Sequence, residues 1–510
     1  MIEAEVHLSL HNFLRSQAGF PAWHHHLTMA RLVARALRLG RSALIQVGAV
    51  CGYQGRYRTS FVASALMWQQ GVVIVAPEAV HQRLLKVEIP RLQQWLQVDK
   101  SIRTGDSWVG GEFQGLFLTS PEAWLQAQIS DNGAFPSGIP TIIDGVDDLE
   151  NWVRASLTVT LESASWDSLI LACPKCESAI RTAKVELTHD IFKHPANPYE
   201  CYVMFDHEIE ILQRLYSVLD IESLPDAWKK FYSLFQNIYQ LSIPLLWATI
   251  NRTHGTFSLH VCPSELADIL APIWQRQPVV LVGSALETET EAPLFRERMG
   301  LEEVTCLKFA PDSQTDAIQL YIPYNLPLPN TPEYQAALIH KVRTLVCLSA
   351  TAPGLTVILV GDVPLKAQVG TILASEFGSR VQVEKTCLDE NGILVTGWEF
   401  WRTHQSVFPS PRLMIIATLP LPSLENPLVA LRVAHYKRLH QDWFRLYLLP
   451  TALNELQRAI APVRENQGLV ALLDSRVVNR SYGAQILNSL SPLARINYLD
   501  PNLFNPQNND

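Results

Sequence analysis

Two short stretches carry residue types that handle phosphate chemistry when a fold brings them together. The first is GAVCGYQGRYRTS, Gly48 to Ser60, between an apolar run, SALIQV, and a helix-patterned run, FVASALMW. A glycine loop in that position exposes backbone N–H groups to phosphates, while a lysine reaches the outer phosphates and a Ser/Thr hydroxyl meets magnesium. Here Gly48, Gly52 and Thr59 are present and the lysine is not; Arg58 is the cation beside the hydroxyl. The second stretch is DGVDDLE, Asp144 to Glu150, after the apolar residues TII. A carboxylate ending a strand downstream of a glycine loop suits a magnesium ligand. Acids opening a helix also serve as ordinary caps, which is an equal claim on the same residues.

The elements that would position these residues are legible as alternating runs. LTMARLVARALRL has helical spacing and ends at Gly40; SALIQV, VVIVAP, GLFLTS and PTIIDG read as buried strands, each followed by a helical pattern. Short strands alternating with helices predict a parallel α/β sheet covered on both faces, with ligands at the carboxyl ends of the strands. From about 156 to 240 the strand pattern gives way to helical runs, and strand-like runs resume with SIPLLWATI, TFSLHVCP and PVVLVGSAL. A second alternating series starts near 301 and includes TVILVGD, RVQVE, LMIIATLP, one long helix near 427 to 460, and GLVALLD. The predicted organisation is a first α/β domain over 1–155 and 241–300, a helical insertion over 156–240, and a second α/β domain over 301–510. PNLFNPQNND at the end reads as a loose tail.

Composition narrows the class. The 510 residues contain 48% hydrophobic and 18% charged residues, ordinary for folded globular domains, and the length suggests about three of them. A net charge of −8 does not advertise a nucleic-acid binder, although 41 Lys and Arg are enough to build one basic face. The eight scattered cysteines read as reduced thiols, the amino terminus has no basic start followed by an apolar core, and no apolar run reaches membrane-spanning length. The expected compartment is the cytoplasm.

Taken in order, the stretches RSALIQVGA, VVIVAPEAVHQRLLKVEIPRL, TIIDGVDDLENW, PVVLVGSALE, EFWRTH, IIATLPLPSLENPLV, YLLPTAL, LLDSRV and SYGAQIL resemble a DinG/XPD-type superfamily 2 DNA helicase. The resemblance covers nearly the whole chain outside the insertion and is strongest from Leu413 to Leu487. It implies two RecA-like domains of P-loop fold, an arch-like insertion in the first, ATP with Mg²⁺ between the domains, and single-stranded or forked DNA as partner. The family's motifs fall on altered residues. The P-loop lands on Gly48, Gly52, Tyr53 and Gln54, or, in a second frame, on Tyr57, Arg58 and Thr59. The DEAH box lands on Asp144, Gly145, Val146 and Asp147, so the magnesium aspartate remains and the glutamate is Gly145. The arginine motif lands on Gln457, Ile460, Ala461 and Arg464, with alanine in place of its first arginine. The resemblance therefore assigns Asp144, Asp147 and Arg464 to catalysis, Gly48, Gly52, Arg58, Thr59 and Gln457 to nucleotide binding, and Asp144 to Mg²⁺. Framework kept while charge-handling groups change implies a DNA-binding homologue with ATP binding or hydrolysis weakened or lost. Two other readings stand beside it: an active ATP-dependent helicase in which Arg58, Thr59 and Asp147 substitute, and a non-catalytic scaffold with a protein partner.

Further candidates weigh less. Cys173, Cys176, Cys201 and His194 offer zinc ligands, and XPD relatives carry an iron–sulfur cluster on four cysteines. These cysteines lie after the DEAH position rather than before it, so neither metal is expected. The imidazoles of His24, His25 and His26 point in successive directions and suit a helix start better than chelation. Trp398, Phe400 and Trp401 have the chemistry to stack on bases but fit a core better. Arg41, Arg56, Arg58, Arg402, Arg458 and Arg464 are the cations to examine for phosphate contact. A literal Ser349-Ala350-Thr351 ends a helical pattern and is read as chance.

Overall fold

The computed structural model describes residues 2–16, 23–108, 110–111, 113–236, 243–311, 317–350 and 352–500. The tail 501–510, Thr351 and the expected boundary at 240/241 lie outside the described residues. Five strands come first: β1 (Ala43–Gln46), β2 (Val72–Val75), β3 (Ile102–Thr104), β4 (Leu116–Thr119) and β5 (Thr141–Asp144). Four follow in the insertion: β6 (Val159–Leu161), β7 (Cys201–Val203), β8 (Leu245–Asn251) and β9 (Thr256–Cys262). β10 (Val279–Gly283) and β11 (Thr305–Lys308) return to the first sheet, whose order is β11-β1-β10-β5-β2-β4-β3, parallel throughout. The second domain holds β12 (Ile318–Tyr321), β13 (Thr356–Leu359), β14 (Val381–Val383), β15 (Ile393–Thr396), β16 (Leu413–Ile416), β17 (Leu469–Leu472) and β18 (Leu493–Ile496). They form a second parallel sheet in the order β14-β15-β13-β16-β17-β12-β18.

Each sheet is buried on both faces, which is why its strands are continuous apolar runs rather than alternating ones. Along β1, Ala43 and Ile45 join one core and Leu44 the other. In β13, Ile358 faces one core while Val357 and Leu359 face the opposite one. The expected α/β class with two doubly covered parallel sheets is what the chain adopts.

Three expectations need correction. The insertion is not purely helical: β6-β9-β8-β7 form an antiparallel sheet around a core containing Trp166, Trp228 and Leu259. β6 and β7 have only three residues each, too short to show strand periodicity, and β8 and β9 pair with them rather than with the first sheet. β11 pairs with β1, so the first domain runs past residue 300. The single long helix near 427 to 460 is two, Pro427–Arg438 and Leu449–Glu465, separated by a turn at His440, whose φ of 55° ends helical geometry.

Candidate nucleotide site and interdomain seam

The glycine stretch after β1 folds as a helix. Gly48 turns the chain at φ 85°, Ala49–Gln54 form a short helix, and Gly55 ends it at φ 66° in the left-handed region. The amides of Gly52 and Gly55 donate to the carbonyls of Gly48 and Cys51, both at 2.9 Å, instead of facing outward as a phosphate cradle would require. Both glycines serve contacts within the chain. A Cβ on Gly52 would sit 2.2 Å from Ser284 Cβ, and one on Gly55 would sit 2.1 Å from Arg58 Nη1.

Arg58 opens the next helix, Arg58–Met67, and its side chain turns back to the end of β5. There Nε donates to Asp144 Oδ2 at 2.7 Å, while Tyr57 OH donates to Asp144 Oδ1. Asp144 is 0% exposed. Burial works against the charge on Arg58, but Asp144 outweighs it and holds the guanidinium pKa above its ordinary value. Burial, then the Asp144 charge, pushes the Tyr57 phenol well upward, so it stays a donor. The carboxylate that would hold magnesium is thus already bonded on both oxygens. Arg58 and Asp144 do meet, as expected of one site, but they meet each other.

The remaining candidates are engaged as well. Asp147 accepts from Ser284 N at 2.7 Å, Ser284 Oγ at 2.9 Å and Ala285 N at 2.8 Å, which ties the turn after β10 to the turn after β5. These three bonds hold the Asp147 carboxylate against the turn after β10. Thr59 is buried and donates to Glu88 Oε2 at 3.2 Å. Arg464, 4% exposed, donates to the carbonyls of Leu490 at 2.6 Å, Ser491 at 3.4 Å and Pro492 at 2.9 Å. Those carbonyls precede β18, at the amino ends of the second sheet, so Arg464 pins its own domain and does not face a nucleotide. Gln457 lies half-buried on the helix Leu449–Glu465.

That helix packs on the 49–54 helix, and direct bonds cross the cleft. Arg458 forms a two-pronged pair with Asp148, Nη1–Oδ1 at 2.8 Å and Nη2–Oδ2 at 3.0 Å. Tyr53 OH donates to the Gln405 carbonyl at 3.3 Å, Gln54 to Glu465, and Arg432 to Glu150. Sequence reasoning named Arg458 only as a phosphate candidate and Tyr57 only as a position of the second P-loop frame, and it missed Glu150 and Arg432. The Glu150/Arg154 spacing of four on a helix hinted at one pair; nothing in the sequence linked Glu150 to Arg432, 282 positions away.

The other candidates have structural neighbours. Trp401 is buried and donates Nε1–H to the Ala459 carbonyl at 3.0 Å. His26 begins a helix, contacts Ser60 Oγ at 2.9 Å, and burial lowers its pKa to about 4. Arg402 lies 3.6 Å from Glu455. Cys173 faces Ser223, Cys176 faces the Val218 carbonyl, and His194 bonds Glu208 at 2.7 Å. Among the described residues no three His, Cys, Asp or Glu side chains group around a common metal position, and no helix is long and apolar enough to cross a membrane.

Comparison with known proteins agrees with this architecture. Residues 409–493 match the family described as Helicase C-terminal domain, enclosing the stretch from Leu413 to Leu487 in which the motif order is clearest. The chain is 23% identical over 262 residues to the ATP-dependent DNA helicase YoaA of Escherichia coli, covering 49% of this chain and 41% of that protein. It is 23% identical over 252 residues to YoaA of Haemophilus influenzae, covering 47% and 39%. The matches thus span less than half the length of these relatives. A solved XPD helicase superposes with a TM-score of 0.57 at 11% identity, covering 93% of this chain and 100% of that one. S. tokodaii Xpd4 gives 0.58 at 13%, with the same coverage. At such identities the structures speak for the fold, and in sequence the chain is similar to DinG/XPD-type superfamily 2 helicases over part of its length.

Proposed function

We propose that this chain binds DNA, single-stranded or forked, as a DinG/XPD-type homologue whose two domains are joined by side chains instead of by Mg²⁺–ATP. One observation carries the reading: both oxygens of Asp144 are bonded, to Arg58 and to Tyr57. The residues present do not fit a magnesium-bound nucleotide, because the part-buried Arg58 guanidinium takes the cation's place and the amides of Gly52 and Gly55 are bonded within the chain. A general base contributes roughly 10²–10⁴-fold and an arginine facing the γ-phosphate about 10³–10⁵-fold. With Gly145 and Ala461 at those positions, ordinary turnover is not expected.

The test is ATP hydrolysis with and without single-stranded DNA, alongside binding of a labelled oligonucleotide over a salt series. The expected result is no turnover above background, with DNA affinity that falls as salt rises. Turnover of about 1 s⁻¹ or more, abolished by Asp144→Ala, would establish the active helicase instead. No DNA binding at low salt, with one protein partner co-purifying, would favour the scaffold.

A further inference from the structure

A cavity of about 250 Å³ lies where the first domain, the insertion and the second domain meet, away from Asp144. Its apolar lining comes from Leu266, Leu294, Met299, Leu439 and Leu446. Its polar lining includes Arg298, Arg432 and His435, together with the carboxylates of Glu150, Glu265 and Glu297. His435, on the helix Pro427–Arg438, is 6% exposed; its Nε2 is 3.4 Å from Glu265 Oε1, and its buried Nδ1 has no hydrogen-bond partner. A buried polar atom without a partner costs free energy unless something satisfies it. Glu265 draws the ring proton to Nε2, which leaves Nδ1 as an acceptor awaiting an N–H or O–H donor.

We propose that this cavity binds a single uncharged nucleobase, free as a nucleoside or presented by a strand. The apolar walls suit a flat ring, Nδ1 of His435 requires a donor such as a ring or exocyclic N–H, and the guanidinium groups of Arg298 and Arg432 supply donors for ring acceptors. Nucleobase edges combine both kinds of group. The volume falls below the roughly 300–1,000 Å³ of sites for drug-sized ligands, and the three wall carboxylates are matched by the guanidinium groups of Arg154, Arg298 and Arg432, so the lining suits an uncharged ligand and the space is too small for a nucleoside triphosphate. The free-nucleoside form of the proposal does not rest on the DNA-binding reading.

Calorimetric titration of the full chain with adenosine, guanosine and cytidine tests the free form, and titration with dA12 against an abasic strand of equal length tests the strand-borne form. Saturable nucleoside binding, weakened roughly tenfold in His435→Phe and in the cavity-filling Leu446→Trp, assigns the site to a free base. Preference for dA12 over the abasic strand, lost in both variants while that for the abasic strand persists, assigns it to a base of a strand. Melting temperatures of the two variants close to the parent's show that the fold is intact; should one variant unfold, the other decides. No nucleoside binding together with equal affinity for dA12 and the abasic strand overturns the proposal, as does binding that neither variant changes.

Discussion

Replacing Glu150 with glutamine tests whether charge holds the two domains together. The Glu150 carboxylate accepts from Arg154 Nε and Arg298 Nη1, each at 3.1 Å, within the first domain, and from Arg432 across the seam. Burial alone would raise its pKa, but Arg432, Arg298 and Arg154 together overcome that and bring it from 4.5 to about 2. With the side chain only 17% exposed, solvent screens little of this interaction. The pKa difference corresponds to roughly 3 kcal/mol, the lower end of the roughly 3–5 kcal/mol that breaking a buried ion pair costs. Glu150→Gln leaves three guanidinium groups around a neutral amide, so the helices Leu149–Leu157 and Pro427–Arg438 should open more often. Hydrogen exchange read by mass spectrometry should show their amides exchanging about a hundredfold faster, with β13 and β16 unchanged. The folded carboxylate titrates below the unfolded one, so its contribution is complete above about pH 4.5 and is lost as pH falls towards 2. Between pH 7 and pH 4 the gap between parent and variant should narrow by roughly 1 kcal/mol, after correction for intrinsic exchange. Exchange altered by less than threefold, or altered equally in β13 and β16, would refute the reasoning; so would a gap that does not change with pH.

Three further substitutions probe the candidate site. Arg58→Ala strands the Asp144 carboxylate in a fully buried position and should cost roughly 3–5 kcal/mol; Mg²⁺ should raise the melting temperature of this variant and leave the parent's unchanged, and an equal Mg²⁺ response in both would show Asp144 to be open already. Gly52→Ala places a methyl group 2.2 Å from Ser284 Cβ, overpacking that should lower the melting temperature by roughly 2–8 °C; an unchanged melting temperature would show that the two turns separate easily. Arg464→Ala removes the donor to three carbonyls and should loosen residues 490–496 by roughly 1–3 kcal/mol without altering DNA affinity, as measured by exchange and oligonucleotide titration; a selective loss of nucleotide or DNA binding would return Arg464 to the cleft.

The strands were legible because burial on both faces writes itself as short apolar runs: IIATLP and TVILVGD fall on β16 and β13, and PTIID ends on Asp144 at the carboxyl edge of the first sheet. The motif order was legible for the same reason, since the residues of TIIDG and GLVALLD are fixed by strand packing whatever the side chains at the strand ends do. Short or half-exposed elements were not. β6 and β7 have only three residues, β11 is largely unburied, and β7 and β11 acquire their meaning only from the strands they pair with.

The sequence by itself determined the α/β class and the position of Asp144 at the end of a buried apolar strand. Tertiary structure decided what the remaining charges do. Arg58 reaches back to Asp144, Asp147 turns to Ser284 and Ala285, Arg464 turns inward to the carbonyls before β18, and Arg458 crosses to Asp148. A charged side chain ends beside whichever opposite charge or free backbone group the packed chain brings within about 3 Å, and most of these partners lie far apart in sequence. Composition and spacing fix which groups are available; only packing fixes which of them meet.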